Sequence, residues 1–157
     1  MRSPGQRLLN KALTPERVLI TDAPSKEDLL YTLVGVLGKG KHVKDVEALR
    51  HAIAEREKLM STGIGLGVAV PHARLAAVED ISIACALNRR ILPDYESIDG
   101  GPVRLVFMVA ARPDQQADYV RVLATFSQLV KSESNRDTLF HAESSQALYD
   151  LLTDPQK

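Results

Sequence analysis

The sequence predicts a mixed α/β domain built in layers, with helices packed against a sheet. Its predicted elements run as helices, then strands, then helices, an order that is typical of layered α/β folds. The length of 157 residues suits one domain that can bury a core without disulfides or metal ions. Hydrophobic residues make up 45% and charged residues 25%, which argues against a disordered chain. The order of the elements leaves open whether the sheet is parallel or mixed.

The first part of the chain predicts one strand and two helices. Pro15 breaks a short opening segment, and the apolar run Val18–Thr21 predicts a strand or extended segment. Ser25 is typical of a helix N-cap, and apolar residues recur after it at helical spacing until Gly38. A second helix is predicted over about 44–59, with apolar residues on one face and charged residues on the other.

The second part predicts two buried strands followed by helices. The apolar runs Ile81–Leu87 and Val103–Ala111 have the length of strands, and Asp99-Gly-Gly-Pro102 predicts a turn before the second. Cys85 lies in the first run, so we expect a packed and unreactive thiol. Three helices are then predicted, over about Gln116–Lys131, Arg136–Ala142 and Ser145–Leu152. Four large apolar residues are expected in the core: Met60, Phe107, Met108 and Phe126.

Composition also limits the function. The 20 Lys and Arg balance the 20 Asp and Glu, whereas a general nucleic-acid binder needs a surplus of basic residues. A single cysteine excludes an intrachain disulfide framework and a cysteine-rich zinc site. No apolar stretch follows the basic residues near the N-terminus, and the apolar run 105–111 is too short to span a bilayer. We therefore expect a cytoplasmic protein without nucleic-acid binding or membrane insertion.

The segment Ser61–His72 differs in kind from the rest of the chain. It places glycines at 63, 65 and 67, followed by a short apolar run and then Pro71 and His72. Alternate glycines allow positive φ or the close approach of a ligand, and their N–H groups can bind an anion. Because proline makes the entry to the histidine rigid, His72 could serve as nucleophile, general base or metal ligand.

Several alternatives fail at this segment. A P-loop requires a lysine after its glycines, and the third glycine comes one residue too early for a Rossmann fingerprint. The histidines at 42, 51, 72 and 141 are scattered, and no nucleophile-elbow sequence is present. What remains is a lone, exposed histidine beside an anion-binding loop, which suits a phosphoryl acceptor. From composition alone, a structural glycine turn with an incidental histidine is an equally good interpretation.

The motif carries a family resemblance. Arg56-Glu57, followed by Ser61-Thr-Gly-Ile-Gly-Leu-Gly-Val-Ala-Val-Pro-His72, resembles the active-site signature of fructose/mannitol-type EIIA domains of the bacterial phosphotransferase system. It is most similar to the nitrogen-regulatory branch. Supporting stretches are Ser97-Ile-Asp-Gly-Gly-Pro-Val103, Pro113-Asp-Gln115 and Ala147–Asp154. The resemblance implies a three-layer α/β/α sandwich with a mixed central sheet. It also implies a single EIIA type-2 domain over 1–157, with a core of about 13–154 and residues 1–12 as an N-terminal extension.

By this resemblance His72 accepts a phosphoryl group from a phosphohistidine on a small HPr-like carrier, without metal or cofactor. Arg56 would face the phosphoryl group, where a guanidinium suits phosphate oxygens; otherwise it is a surface arginine paired with a nearby Glu. Ser61 and Thr62 would hold the loop or the phosphate, although one hydroxyl could simply cap the turn. Glu57 is expected to be structural and to orient Arg56. By family analogy the solvent-facing nitrogen of His72 is phosphorylated, and a backbone hydrogen bond fixes the other.

One residue departs from the family pattern. Relatives usually carry a second histidine near the phosphorylated one, early in the helix that follows Pro113-Asp-Gln115, and this sequence has Tyr119 there. A tyrosine can donate a hydrogen bond but cannot supply a positive charge at neutral pH. We therefore expect His72 to be phosphorylatable, with an altered transfer rate or lifetime of the phosphorylated form. The alternative is that Tyr119 is only a half-buried helix residue covering the site.

The leading hypothesis is a phosphoryl-accepting regulatory protein, a phosphotransfer intermediate rather than a stand-alone enzyme, whose phosphorylation state controls a partner. No onward acceptor is visible in this chain, which favours the regulatory function. The first alternative is a sugar-transport EIIA that passes phosphate to a separately encoded EIIB. The second is a binding or sensory module that has lost phosphotransfer, and a hydrolase using His72 as base is the weakest. The sequence does not identify the regulated partner, and it leaves the oligomeric state open, a homodimer included.

Overall fold

The structure is a computed structural model that describes residues 2–155. The described residues form six helices: α1 (Pro4–Ala12), α2 (Lys26–Gly38), α3 (Val46–Leu59), α4 (Gln116–Lys131), α5 (Glu133–Phe140) and α6 (Ser145–Thr153). They form six strands: β1 (Leu13–Thr21), β2 (Gly63–Gly65), β3 (Val68–Ala69), β4 (His72–Arg74), β5 (Ser82–Leu92) and β6 (Val103–Ala111).

The strands make one mixed sheet. Its order is β1-β5-β6-β3-β2, and β4 also pairs with β6. Strands β1 and β5 are parallel, as are β3 and β4 with β6. Strands β5 and β6 are antiparallel, and so are β2 and β3. The order of the elements had left open whether the sheet is parallel or mixed, and the structure shows that it is mixed.

Helices cover both faces of the sheet, which confirms the three-layer α/β/α fold. Side chains of β6 alternate between the faces: Phe107 packs on the side of α1, α4, α5 and α6, and Met108 on the side of α2 and α3. The Phe107 ring stacks on Phe126 of α4 with centroids 4.0 Å apart. Leu33 of α2 is fully buried in the other core, and burial of such a side chain contributes about 1.5–3 kcal/mol.

Most of the predicted elements are confirmed with shifts of a few residues at their ends. The prediction for β6 and α4 matches the structure, and Ser25 caps α2 by accepting a hydrogen bond from the Asp28 N–H. Helix α5 begins at Glu133 rather than near Arg136, because the Ser132 hydroxyl caps it by accepting from the Asn135 N–H.

The N-terminal region holds more regular structure than the sequence predicts. Strand β1 starts at Leu13, and its register on β5 shifts between Leu13 and Val18. This irregularity lets Pro15, which has no N–H, remain in the strand. Helix α1 precedes it and buries Leu9 in the core. The division into a core of about 13–154 and an extension of 1–12 stays a prediction.

The core predictions are correct except at one residue. Phe107, Met108 and Phe126 are fully buried, whereas Met60 is 71% exposed and the expectation for it is wrong. Met60 is the C-cap of α3 and has an extended backbone, so it leaves the helical periodicity that places Leu49 and Ile53 in the core. Cys85 is buried as expected, and burial raises the pKa of its thiol. Within residues 2–155 no helix is long and apolar enough to cross a membrane.

Candidate functional site

His72 lies at the start of the short strand β4, at an interruption of the sheet. Strands β3 and β4 both run parallel to β6, and Val70 and Pro71 separate them. The Pro71 carbonyl accepts a hydrogen bond from the Val109 N–H at 3.0 Å, which ties this break to β6. His72 itself is in register with Val109. The fold therefore fixes the backbone on both sides of the histidine.

The imidazole of His72 has one tautomer imposed on it. Its Nδ1 lies 3.0 Å from the Val70 carbonyl oxygen, and since a carbonyl only accepts, Nδ1 carries the proton. The lone pair is then on Nε2. Partial burial lowers the pKa of His72 from its ordinary value; the Val70 hydrogen bond opposes this, and the positive charge of Arg56 adds to it. At pH 7 His72 is thus a neutral, half-buried imidazole with an unprotonated Nε2, whereas the sequence predicts an exposed histidine.

Tyr119 of α4 lies directly against His72. The two ring centroids are 4.6 Å apart and the ring planes make an angle of 37°. Burial raises the pKa of Tyr119 to about 12, so the phenol stays neutral. The half-buried tyrosine covers part of the site, as one of the two interpretations has it. Its effect on phosphotransfer stays a prediction.

Arg56 borders the same cavity as His72 but binds neither its neighbour nor the histidine. Its Nη1 donates to the Met60 carbonyl oxygen at 2.6 Å, across the end of α3. Glu57 pairs instead with Lys26, with Nζ 2.9 Å from Oε1. The expectation that Glu57 orients Arg56 is therefore wrong, and so is the expectation that Arg56 pairs with a nearby Glu. Among the described residues, the Arg56 guanidinium makes one hydrogen bond, to a backbone carbonyl.

Ser61 and Thr62 are both engaged within the protein. The Ser61 hydroxyl donates to the Glu96 carbonyl at 2.6 Å and accepts from the Gly63 N–H at 3.3 Å, so it caps the turn after α3. The Thr62 hydroxyl donates to Glu57 Oε2 at 2.6 Å, and the residue is only 4% exposed. Of the two roles left open by the sequence, the geometry favours holding the loop over touching a phosphate.

The glycine turn binds an anion, but one from the protein itself. Gly65, Leu66 and Gly67 have φ values of 90°, 62° and 79°, the left-handed conformation that glycine tolerates best. The Leu66 N–H donates to Asp99 Oδ2 at 3.0 Å, and the Gly65 N–H to Ser97 Oγ at 2.9 Å. These two N–H groups are therefore not available to a phosphoryl group, and the expectation of a phosphate cradle is wrong for them. The sequence predicts a turn that includes Asp99, but it does not indicate that the Asp99 side chain binds the glycine turn.

The cavity at His72 is shallow and has an apolar border. Its volume is about 350 Å³, and it is lined by Arg56, Thr62, Ile64 and His72, among others. The border carries two of the most exposed apolar side chains of the described residues, Met60 at 71% and Ile98 at 84%. A cluster of exposed apolar residues around a reactive group is typical of a protein-interaction surface.

A larger groove of about 910 Å³ lies elsewhere, between α1, the end of α2 and the start of β5. It shares no lining residue with the cavity at His72. Its basic residues are interspersed with acidic ones, for example Lys11 with Asp80. Because His72, the histidine singled out by the sequence, lines the smaller cavity, the smaller cavity is the candidate site.

Comparisons with known proteins show which family this chain is similar to. The family model for the phosphoenolpyruvate-dependent sugar phosphotransferase system, EIIA 2, matches residues 11–154. The chain is 38% identical over 136 residues to the fructose-specific EIIABC component of Bacillus subtilis, which covers 87% of this chain and 21% of that longer protein. It is 37% identical over 109 residues to a nitrogen regulatory protein of Bradyrhizobium diazoefficiens, covering 69% of this chain and 70% of the relative.

A solved structure extends the similarity to the fold. The nitrogen regulatory protein IIA-Ntr of Neisseria meningitidis superposes with a TM-score of 0.85 at 26% identity, covering 93% of this chain and 99% of that one. The family model, the curated relatives and the structural neighbour therefore agree with the resemblance carried by Arg56-Glu57 and the segment 61–72.

Proposed function

Because the chain belongs to the EIIA 2 family of the phosphoenolpyruvate-dependent sugar phosphotransferase system, we propose that His72 accepts a phosphoryl group from an HPr-like phosphocarrier. The phosphorylation state then regulates a partner protein. The observation that carries the proposal is the geometry of His72, whose Nδ1 is bound to the Val70 carbonyl and whose Nε2 is left as the nucleophile. We place the protein in the cytoplasm with its carrier.

The proposed step is a transfer between two imidazoles. A bond from Nε2 of His72 to phosphorus forms as the bond from phosphorus to the ring nitrogen of the carrier histidine breaks. The electron pair of the broken bond stays on that nitrogen, and the carrier ring, protonated on its other nitrogen before the transfer, leaves as a neutral imidazole. The His72 proton stays on Nδ1, which continues to donate to the Val70 carbonyl. Positioning and charge stabilisation suffice for such a transfer between like groups. Arg56, whose one hydrogen bond within residues 2–155 is to the Met60 carbonyl, is the cation that we expect to bind the phosphoryl oxygens.

The surface around His72 supports a protein as phosphoryl donor. The cavity of about 350 Å³ is open and shallow, whereas small-molecule sites usually enclose most of their ligand. Met60 and Ile98 present exposed apolar side chains beside it, which a carrier protein would bury.

Intact-protein mass spectrometry tests the proposal. The protein is incubated with phosphoenolpyruvate, Enzyme I and an HPr-type carrier, and the expected result is one acid-labile phosphate on the wild type and none on His72→Gln. His141→Gln is the matched control, because His141 also has its Nδ1 on a backbone carbonyl, at 2.7 Å from Asp137 O, yet lies exposed on the surface. It should be phosphorylated like the wild type. A wild type without phosphate, beside a working EIIA control, would overturn the proposal in favour of a binding module.

A second candidate is transfer onward to a sugar-transport EIIB. The similarity to the fructose-specific EIIABC component favours it, and Cys85, the one cysteine of this chain, is buried and has a raised pKa. An acceptor cysteine must therefore come from another protein. Phosphorylated protein mixed with a purified fructose-specific EIIB domain should lose its phosphate to the EIIB if this function applies. Retention of the phosphate, beside a fructose EIIA that transfers it, would favour the regulatory function.

A further inference from the structure

A chain of buried polar side chains lies beneath the loop that leads to His72. It consists of Tyr95, Thr62, Glu57 and Lys26, and the first two are 2% and 4% exposed. We infer that Tyr95, Glu57 and Lys26 are positioning residues, which act through Thr62 to hold His72 in the tautomer needed for phosphoryl transfer. This inference rests on the proposed function for its consequence in transfer, but the geometry can be tested without any transfer.

The hydrogen bonds of this chain have one consistent direction. Thr62 has a single hydroxyl proton, which goes to the Glu57 carboxylate, with Oγ1 to Oε2 at 2.6 Å. Tyr95 must then donate to Thr62, with the two hydroxyl oxygens 2.7 Å apart. Lys26 closes the chain with Nζ 2.9 Å from Glu57 Oε1 and 4.3 Å from the centre of the Tyr95 ring. The Lys26 and Glu57 side chains are 19% and 7% exposed, so solvent screens this pair weakly.

The chain reaches His72 through two backbone hydrogen bonds. The Thr62 carbonyl accepts from the Val70 N–H at 3.0 Å, and the Val70 carbonyl accepts from His72 Nδ1 at 3.0 Å. Whatever fixes Thr62 therefore helps to fix Val70, the residue whose carbonyl selects the tautomer of His72. The side chains come from α2, from α3 and from the connection between β5 and β6, so separate parts of the fold act on this residue.

Apolar packing alone would hold the loop without a directed chain of this kind. Buried polar groups and ion pairs often cost more in desolvation than they return in stability, so their presence here needs another reason. A fixed direction of the hydrogen bonds provides such a reason, because it allows the Thr62 side chain a single orientation. Misplacement of a reacting group by about 1 Å can slow a reaction by roughly 100-fold.

Tyr95→Phe and Thr62→Val test the inference on the complete protein. Nitrogen-15 NMR of the His72 ring, in the unphosphorylated protein at a pH above its titration, reports which nitrogen carries the proton. The wild type should show the Nδ1–H form, and both variants a mixture of the two forms. Phosphorylation by the carrier should be about 10- to 100-fold slower in kcat, with KM for the carrier unchanged. Thr62→Ser keeps the hydroxyl and should restore both properties.

Two controls separate positioning from general damage. Tyr149→Phe removes the hydroxyl of a tyrosine on α6, and Thr138→Val removes one that bonds only to the Ser134 carbonyl of its own helix. Neither should change the tautomer or the rate. A wild-type tautomer and rate in both Tyr95→Phe and Thr62→Val would overturn the inference. A wild type that is never phosphorylated would overturn the proposed function instead, and the tautomer measurement would still decide whether the chain positions His72.

Discussion

The site at His72 has two sides that differ in chemistry. On the inner side, Thr62, Glu57 and Tyr95 are buried and each polar group has a partner within the protein. On the outer side, Met60 and Ile98 are exposed apolar residues that contact solvent. The difference teaches that contacts within the fold set the geometry of His72, whereas the apolar side chains around it are exposed and open to the partner that we propose. Changes on the inner side should therefore alter stability and kcat, and changes on the outer side should alter binding.

The largest effect on the transfer rate is expected from substitution of Arg56. This residue lies on the outer side, but its positive charge gives it a proposed role in the transfer. Arg56→Gln should slow phosphorylation of His72 about 10- to 100-fold, because the transferring phosphoryl oxygens lose a charged donor. Rapid-quench measurement of phosphohistidine formation gives the rate. Arg136→Gln is the matched control, since its guanidinium also donates to backbone carbonyls, at 2.8 Å from Val130 O and 3.0 Å from Lys131 O, but on α5. Equal rates for Arg56→Gln and wild type would exclude Arg56 from the transfer.

The next effect concerns the stability of the inner side. Glu57→Gln breaks the ion pair with Lys26, and we expect the free energy of unfolding to fall by about 1–3 kcal/mol, less than for a fully buried pair because Lys26 is 19% exposed. Glu79→Gln breaks an exposed pair with Lys44 whose side chains are 54% and 57% accessible. That change should cost about 0–1 kcal/mol. Urea titration compares the free energies of unfolding of the two variants. Equal losses would contradict the weak solvent screening of the Lys26–Glu57 pair on the inner side.

The apolar border should influence binding and not chemistry. The double variant Met60→Ser, Ile98→Ser removes apolar surface that a carrier would bury, and KM for the carrier should rise roughly three- to tenfold with kcat unchanged. Ile91→Ser, at a residue 51% exposed on β5 and outside the cavity, serves as control and should leave KM as it is. A fall in kcat without a change in KM would contradict this prediction, because it would show that Met60 and Ile98 affect the transfer step and not carrier binding.

Tyr119 packs against His72 between the inner and outer sides, so we expect its substitution to have a smaller effect on the transfer rate. Tyr119→His introduces a side chain that can carry a positive charge beside His72, and we expect transfer rates to change roughly two- to fivefold. The lifetime of the phosphorylated form, followed by mass spectrometry, should change with them. Tyr119→Phe keeps the ring without the hydroxyl and separates packing from polarity. Unchanged rates and lifetime in Tyr119→His would refute a role for this position.

The smallest effect is expected in the pH dependence. Burial lowers the pKa of His72, so the neutral nucleophile persists and the transfer rate should be flat from about pH 8 to about pH 6.5. The unfolded chain takes up this proton more readily than the folded one, so the free energy of unfolding should fall as the pH drops below about 6.5. His72→Gln should lack this contribution. An identical slope of stability against pH in His72→Gln and wild type would contradict it.

Predictions from the sequence succeed where the signal is local. The N-cap at Ser25 and the helical spacing in α4 both act over a few residues, and the structure confirms both. The prediction that Met60 lies in the core is wrong, because an apolar residue at the end of α3 need not be covered by another element. Within the site, the sequence identified His72 and its backbone-bound nitrogen, and it failed on the partners of Arg56 and of the Leu66 N–H.

By itself the sequence determined the family and the order of most helices and strands, and it singled out His72, since motif spacing, caps and periodicity are properties of neighbouring residues. Only the tertiary structure decided which groups satisfy the loop. Thr62 meets Tyr95 across 33 residues, and the Leu66 N–H meets Asp99 across 33 residues. Such contacts depend on how the layers pack, because a hydroxyl or an N–H can accept many partners and only the folded sheet places one of them within reach.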